Sequence, residues 1–155
     1  MIKQILTSRK KGEGNLLTMI IVFVLVSMTV MVGEYFRIHM LQQDIEYQLQ
    51  RSVNCAVEYA MGDSYRQDRI INLDVAEART QFTRYITEET DLDSQLRKIK
   101  DTREEYKLNI DAMTGTSNPA VFTVSGYAEA DSLFSFLVGK IIIPFEISST
   151  NYRLD

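Results

Sequence analysis

Cysteine, histidine, proline and tryptophan are scarce in this chain of 155 residues, which has one Cys, one His, two Pro and no Trp. The single thiol, Cys55, cannot form a disulfide within the chain. A metal site needs three or four converging ligands, so His39 and Cys55 would need carboxylates to complete one. The sequence therefore predicts no disulfide framework, no metal site and no bound cofactor.

Motifs of common enzyme chemistry are also missing from the sequence. There is no Gly-rich phosphate loop before a predicted helix and no serine in a nucleophile elbow. On a helix, His39 falls near Tyr35 and Gln43 rather than near a carboxylate. Cys55 lies beside an apolar stripe, where a small core-facing residue is more common than a reactive thiol. We therefore expect a protein without enzymatic activity.

Charge is spread unevenly along the chain, whose net charge is −4. Four basic residues and one acidic residue precede Leu16 and give +3, so the remaining chain carries −7. A nucleic-acid-binding protein has a basic face on its folded part, whereas this body is acidic. The charge pattern argues against a nucleic-acid partner. The four basic residues are Lys3, Arg9, Lys10 and Lys11.

Residues 16–33, LLTMIIVFVLVSMTVMVG, form a run of eighteen residues without a charge. A helix of this length spans about 27 Å, close to the roughly 30 Å hydrocarbon thickness of a bilayer. A buried helix of a soluble protein is usually shorter and has a polar stripe, whereas only Thr18, Ser27 and Thr29 interrupt this run. We therefore expect residues 16–33 to form a transmembrane helix.

The basic leader before the apolar run determines the predicted orientation. Positive charges flanking a membrane helix stay in the cytoplasm, which places residues 1–15 inside and residues 34–155 outside the cytoplasmic membrane. A cleavable secretory signal would have an apolar region of about 7 to 15 residues followed by a small-x-small site. The sequence after Val32, GEYFRIHM, offers no such site. We therefore expect the helix to be retained as a single-pass anchor.

No Pro or Gly interrupts residues 34–61, and apolar residues recur there at spacings of three and four. These spacings place them on one face of a helix. We expect one rod from Leu16 to Met61, in which the transmembrane helix continues as an amphipathic helix and Gly62 ends it. The predicted apolar stripe consists of Ile38, Leu41, Ile45, Leu49, Val53, Ala56 and Ala60.

A second helix and a small sheet are predicted beyond this rod. Asp74 and Glu77 have the spacing of an N-cap and N3 pair, so we expect a helix over residues 74–88. Residues 105–150 are expected to form an antiparallel sheet, because they contain alternating and β-branched segments. Its hairpin loop is predicted over residues 112–119, and Pro144 places the last strand, 141–150, at an edge or next to a bulge.

Two segments around the predicted sheet are less regular. Residues 90–101 carry acidic and basic side chains in turn without a clean period, which predicts a short helix or a loop. Residues 133–138, LFSFLV, form an apolar connector that we expect to pack on the sheet or on the rod. If it does not pack there, it is the most exposed hydrophobic patch of the head. The fold class predicted overall is α+β, with a long N-terminal helix packed on a small antiparallel sheet.

Two parts of the chain carry a resemblance to a known family. Residues 9–26, RKKGEGNLLTMIIVFVLV, combine a lysine-rich leader and glycine with an apolar helix. Residues 122–155 contain a strand ending in an aromatic, an apolar connector and a strand that closes with small polar residues and an Arg. In this the chain resembles the TadE-like minor pilins of tight-adherence, or Flp-type, pilus systems, which have a type IV pilin-like architecture. The features of the tail fall on Val124, Tyr127, Phe134, Phe136, Leu137, Ile147, Ser148, Ser149 and Arg153.

The resemblance implies a membrane-anchored minor pilin or pseudopilin that works with other pilin-like subunits and with pilus assembly proteins. Prepilin-like members are cut by a membrane prepilin peptidase after a Gly, which makes Gly12 and Gly14 the candidate processing positions. The mature family members usually carry Glu at their fifth position, where this chain would have Leu17 or Met19. This departure favours a minor or initiating subunit over a major pilin.

Helix packing inside the membrane depends on small residues, and Ser27, Thr29 and Gly33 are the candidates for it. The alternative function is that of an unprocessed single-pass accessory or scaffold subunit of another secretion or conjugation machine. The mature N-terminus distinguishes the two, because processing would expose Glu13 or Asn15 and the alternative would keep Met1.

Overall fold

The computed structural model describes residues 2–61, 72–135 and 139–150. The architecture is α+β, with a long N-terminal apolar helix and a small antiparallel sheet of four strands. The chain divides into two compact units, Met1–Met40 and Leu41–Asp155. In chain order the elements are helix α1 (Ile2–Ala60), helix α2 (Val75–Glu88) and strands β1 (Arg97–Lys100), β2 (Arg103–Thr116), β3 (Val121–Asp131) and β4 (Lys140–Thr150).

Every described residue of the first unit belongs to α1. The helix begins at Ile2, so it is longer than the rod predicted from Leu16 and includes Gly12 and Gly14. A Gly inside a helix costs only about 1 kcal/mol relative to Ala, and no Pro occurs before residue 119, so nothing in the local sequence stops the helix earlier. The predicted stop at Gly62 lies outside the described residues.

In the second unit, one face of α1 is buried from Leu41 to Ala60. The buried side chains recur every three or four residues, as expected for the core-facing stripe of an amphipathic helix. Ser52 is buried on the same face, and its hydroxyl donates to the Gln48 carbonyl at 2.8 Å. Ile38, which lies in the first unit, is half-buried. The buried apolar residues are Leu41, Ile45, Leu49, Val53, Ala56, Val57 and Ala60.

Helix α2 starts where its capping residue predicts. The Asp74 carboxylate accepts hydrogen bonds from the backbone N–H groups of Ala76 and Glu77, at 2.9 and 3.1 Å, and so satisfies two of the free donors at the helix start. The buried face of α2 carries Phe82, whose ring meets that of Phe122 edge-on with 6.1 Å between the centroids. This contact packs α2 on strand β3.

The sheet is an antiparallel meander with the strand order β1-β2-β3-β4. One face is buried and the other is largely polar, as in antiparallel sheets covered on one side. Strand β2 has a bulge between Ile110 and Ala112. Opposite this bulge, a Cβ atom at Gly126 would lie 2.1 Å from the Asn109 carbonyl oxygen, so only glycine fits there. The buried apolar residues of this sheet face are Tyr106, Leu108, Phe122, Val124, Ala128, Ala130, Ile143 and Phe145.

The start of the sheet differs from the prediction, because residues 97–100 form a strand rather than a short helix or loop. The strand was missed because it has four residues, RKIK, of which three are charged. It pairs with β2 through a tight turn at Asp101 and Thr102, where both φ angles are positive, at 48° and 67°. Positive φ at both central residues is the conformation of a type I′ hairpin turn.

The hairpin between β2 and β3 is also tighter than predicted. Strand β2 continues to Thr116, and Thr116 pairs with Val121, so the connection has four residues instead of the eight in residues 112–119. The bulge in β2 explains the difference, because it resets the register and lets the Thr-Gly-Thr segment pair as strand. Strand β4 is at the edge of the sheet, as predicted from Pro144.

Contacts along α1 define two ends of the second unit. The ammonium Nζ of Lys98 lies 3.0 Å from the Asp44 carboxylate, close to the start of this unit at Leu41. At the other end, the Asp74 N–H donates to the Ala60 carbonyl at 3.3 Å. The β2–β3 connection lies at this same end, because the hydroxyl of its residue Ser117 donates to the carbonyl of Leu73, the residue before Asp74. We call these the Leu41 end and the Ala60 end.

The strand directions follow from these contacts. The Tyr106 hydroxyl donates to the Gln48 side chain, so β2 runs from the Leu41 end toward Ser117 at the Ala60 end. Because neighbouring strands are antiparallel, the β1–β2 turn and the β3–β4 connection both lie at the Leu41 end.

Candidate functional site

The apolar run of the first unit is exposed along its whole length. Its exposed fractions range from 41% at Val30 to 73% at Phe23, and the sixteen large hydrophobic residues with such exposure extend from Leu16 to Phe36. A soluble monomer rarely exposes a contiguous apolar surface of this size. Within the described residues, α1 is the one helix that is long and apolar enough to span a membrane.

The hydroxyl groups inside the apolar run are paired within the helix. Thr18 donates to the Gly14 carbonyl at 2.9 Å, Ser27 to the Phe23 carbonyl at 2.8 Å, and Thr29 to the Leu25 carbonyl at 2.9 Å. Unpaired polar groups are costly in hydrocarbon, whereas hydroxyls bonded to the preceding turn are tolerated. These residues therefore do not prevent the helix from residing in lipid.

The three small residues predicted to pack against other helices do not share one face. Thr29 and Gly33 are four residues apart and lie on the same side of the helix, whereas Ser27 is about 200° away from Thr29 at 100° per residue. A Cβ atom at Gly33 would meet nothing within 4 Å. The Thr29–Gly33 face therefore has room for a close neighbour.

Polar and aromatic side chains follow the apolar run directly. The Arg37 guanidinium donates two hydrogen bonds to the Glu34 carboxylate, at 2.8 and 3.0 Å, in a bidentate ion pair. The Tyr35 ring stacks on the His39 ring, with 6.3 Å between the centroids, and meets Phe36 edge-on. Tyrosine and basic residues are typical of the boundary between hydrocarbon and water. The paired charges were not predicted, although opposite charges at a spacing of three were the signal for them.

Cys55 lies in the second unit, half-buried beside Tyr85. Burial, followed by a hydrogen bond with Cys55, raises the pKa of Tyr85. Burial, followed by the charge of Asp44, raises the pKa of Tyr106. Both phenols are therefore protonated at neutral pH, and the Tyr106 hydroxyl donates a hydrogen bond to the Gln48 side-chain oxygen. In the described part of the chain, no group of three His, Cys, Asp or Glu side chains is arranged to hold a metal ion.

Two of the concavities formed by the described residues of the second unit are large enough to hold a small ligand. One, of about 620 Å³, lies between α2 and β2, is lined by Phe82, Ile86 and Leu108 among others, and contains one carboxylate, that of Asp111. The other, of about 690 Å³, lies at the Ala60 end and is lined by Asp74, Glu77 and Ser117 among others. The Asp74 carboxylate caps α2, and the Ser117 hydroxyl donates to the Leu73 carbonyl.

The structure describes only some of the residues that the sequence suggested for processing and for the tail. Gly12 and Gly14 lie on the α1 backbone, and a Cβ atom at Gly14 would meet nothing within 4 Å. In the connector, Leu133 is exposed and Phe134 is half-buried. Phe136, Leu137 and Arg153 lie outside the described residues.

Comparison with protein-family models, with curated proteins and with solved structures finds no match to this chain. The resemblance to TadE-like pilins therefore rests on the sequence features of residues 9–26 and 122–155, and it stays a hypothesis.

Proposed function

We propose that this chain is a non-enzymatic, membrane-anchored subunit of the TadE-like minor pilin or pseudopilin type, which takes part in the assembly or initiation of a tight-adherence pilus. One observation carries this proposal. A helix whose large apolar side chains are exposed continues without a break into an amphipathic helix, whose buried face belongs to the core of an α+β head. Anchor and head therefore share a single helix.

The proposed location is the cytoplasmic membrane, with the N-terminus inside and the head outside. The support is the clustering of Lys3, Arg9, Lys10 and Lys11 before the apolar run, together with an acidic body after it. The Tyr35 and Arg37 side chains after the run are suited to the outer headgroup region. The first partner of the chain is accordingly the lipid bilayer, and no nucleic acid is among the proposed partners.

Other pilin-like subunits and pilus assembly proteins are the proposed protein partners. Helices associate in lipid by close packing, for which the Thr29–Gly33 face leaves space. An ATPase, a platform protein and a prepilin peptidase would be supplied by other chains.

Deleting the gene in its native host and restoring it with the full chain tests the proposed function. We expect the deletion to reduce the number of surface pili while leaving growth and other secreted proteins unchanged. Expression of the full chain should restore the pili. Mass spectrometry of the restored protein should find Glu13 or Asn15 as its first residue. Unchanged pili in the deletion strain would contradict the proposal.

The second candidate is an unprocessed single-pass accessory or scaffold subunit of another secretion or conjugation machine. It is favoured by the apolar Leu17 or Met19 at the position where mature pilins usually carry Glu, and by the continuous helix through Gly12 and Gly14. An intact Met1, together with a secretion or conjugation defect in the deletion strain, would select this candidate.

A further inference from the structure

Exposed aliphatic side chains are concentrated at one end of the head. Within the described residues of the second unit beyond α1, the large hydrophobic residues that are exposed are Ile99 at 53%, Leu133 at 63% and Ile142 at 63%. Ile99 is two residues before the β1–β2 turn, Leu133 lies in the β3–β4 connection, and Ile142 is the third residue of β4. All three therefore lie toward the Leu41 end.

The strand register places two of these residues on the same side of the sheet. The pairing of β1 with β2 is irregular between Lys98 and Ile99, and Ile99 pairs with Glu104. The Glu104 carboxylate contacts Lys140, which lies on the uncovered face of β4, so the exposed Ile99 is on that face as well. In β4, Ile143 is buried, and its neighbour Ile142 likewise points to the uncovered face. The opposite, Ala60 end is different, because its β2–β3 connection exposes Ser117, Asn118 and Pro119.

The charged groups at the Leu41 end nearly cancel. At the β1–β2 turn, Lys100 and Arg103 are balanced by Asp101 and Glu104. Lys140 contacts the carboxylates of Glu129 at 3.3 Å and Glu104 at 3.7 Å. A surface that binds by charge would carry an excess of one sign. The feature that distinguishes this end is therefore its exposed aliphatic side chains.

The chain keeps this end close to any membrane that holds the apolar run. Eight residue steps separate Gly33 from Leu41, which span at most about 29 Å even when fully extended. The headgroup region on each side of the hydrocarbon is itself roughly 5 to 7 Å thick. The Leu41 end is thus tethered within reach of the headgroups, whatever the angle between the two units.

We propose that the Leu41 end of the head docks on the lipid surface, with Leu133 inserted into the interface and Ile99 and Ile142 at its margin. This inference rests on the membrane anchor of the proposed function. Aliphatic insertion without an excess of charge should persist at high salt, unlike electrostatic binding to anionic lipid. Docking orients the β2–β3 connection away from the membrane, where partners outside the cell reach it.

Because the chain contains no Trp, a single introduced Trp reports its own surroundings. We would reconstitute the full chain in phosphatidylcholine vesicles that carry brominated acyl chains, and compare Leu133→Trp with Asn118→Trp at the Ala60 end. Phe23→Trp measures whether the apolar run lies in lipid. Ile142→Trp measures lipid contact at a second position of the Leu41 end, a strand residue that is already exposed. We expect bromolipid quenching and a blue-shifted emission for Leu133→Trp at low and high salt, and quenching of Asn118→Trp by aqueous iodide instead.

The outcomes separate this inference from the membrane anchor. Quenching of Phe23→Trp by bromolipid without quenching of Leu133→Trp or Ile142→Trp would overturn the docking and leave the anchor intact. Failure of Phe23→Trp to be quenched would overturn both. Leu133→Trp that is shielded from iodide but not quenched by bromolipid would mean that protein covers it, which also overturns docking on lipid.

Discussion

Thr102 has a backbone conformation that β-branched residues rarely adopt, with a φ angle of 67°. It shares the two-residue turn between β1 and β2 with Asp101, and type I′ turns favour Asn followed by Gly at these positions. We expect Thr102→Gly to raise the free energy of unfolding by about 1 kcal/mol, because glycine adopts positive φ without steric cost. Thermal unfolding of the full chain in detergent measures this change.

Thr114→Gly is the matched control for the turn substitution. Thr114 pairs with Thr123 inside β2, where glycine removes a favourable strand residue, so this variant should unfold at a lower temperature than the unmodified chain. A lower unfolding temperature for Thr102→Gly as well would contradict the assignment of the turn.

Asp93 is expected to make folding stability depend on pH. A side-chain hydrogen bond from Arg97 holds the pKa of the Asp93 carboxyl below its usual value of 3.8, and the N–H groups of Arg97 and Gln95 add to this. Because the folded pKa is lower than the unfolded one, the stabilisation is fully present above the unfolded pKa and is lost as pH falls through the folded pKa. The Asp93→Asn variant lacks this contribution.

Thermal unfolding across pH measures this contribution. The unmodified chain should unfold at a higher temperature than Asp93→Asn at neutral pH, and the difference should shrink as the pH falls below about 4. Asp91→Asn is the control, because Asp91 is exposed on the same loop, and it should change little. A difference that grows as the pH falls would contradict the role assigned to the Arg97 hydrogen bond.

At the scale of elements, the helices could largely be predicted and the sheet only in part. Local signals delimit the helices, namely the missing Pro and Gly in residues 34–61 and the Asp74 cap of α2. Strand β1 has no such signal, because it is short and charged and exists through its pairing with β2. The length of β2 likewise depends on a bulge that forms only when β3 is in register.

The Thr29–Gly33 face of α1 leads to a prediction about assembly. Gly33→Leu should weaken association with sibling helices several-fold without preventing membrane insertion, because a bulky side chain keeps a neighbouring backbone away. Cross-linking in membranes and counts of surface pili measure the effect. Val32→Leu, which exchanges one large apolar residue for another, is the control. Equal cross-linking and pilus counts for both variants would show that this face packs against no helix.

At the scale of the whole molecule, the sequence predicted an apolar run and an α+β head, but not which turns of the sheet lie at the Leu41 end of the head. That arrangement depends on contacts between residues far apart in the chain, such as Lys98 with Asp44 and Tyr106 with Gln48. The grouping of Ile99, Leu133 and Ile142 depends on the same contacts, because the three residues come from different strands and connections. No periodicity in the sequence contains this information.

The central claim is that residues 16–33 cross the membrane with the head outside. Since Cys55 is the only cysteine, a Cys55→Ser background allows one thiol to be placed at a time, at Asn118→Cys in the head or Ser8→Cys in the leader. We expect a membrane-impermeant maleimide to label Asn118→Cys in intact spheroplasts. In a strain without prepilin peptidase, which retains the leader, Ser8→Cys should be labelled only after lysis. Labelling of Asn118→Cys only after lysis, or recovery of the chain in the soluble fraction, would contradict the claim.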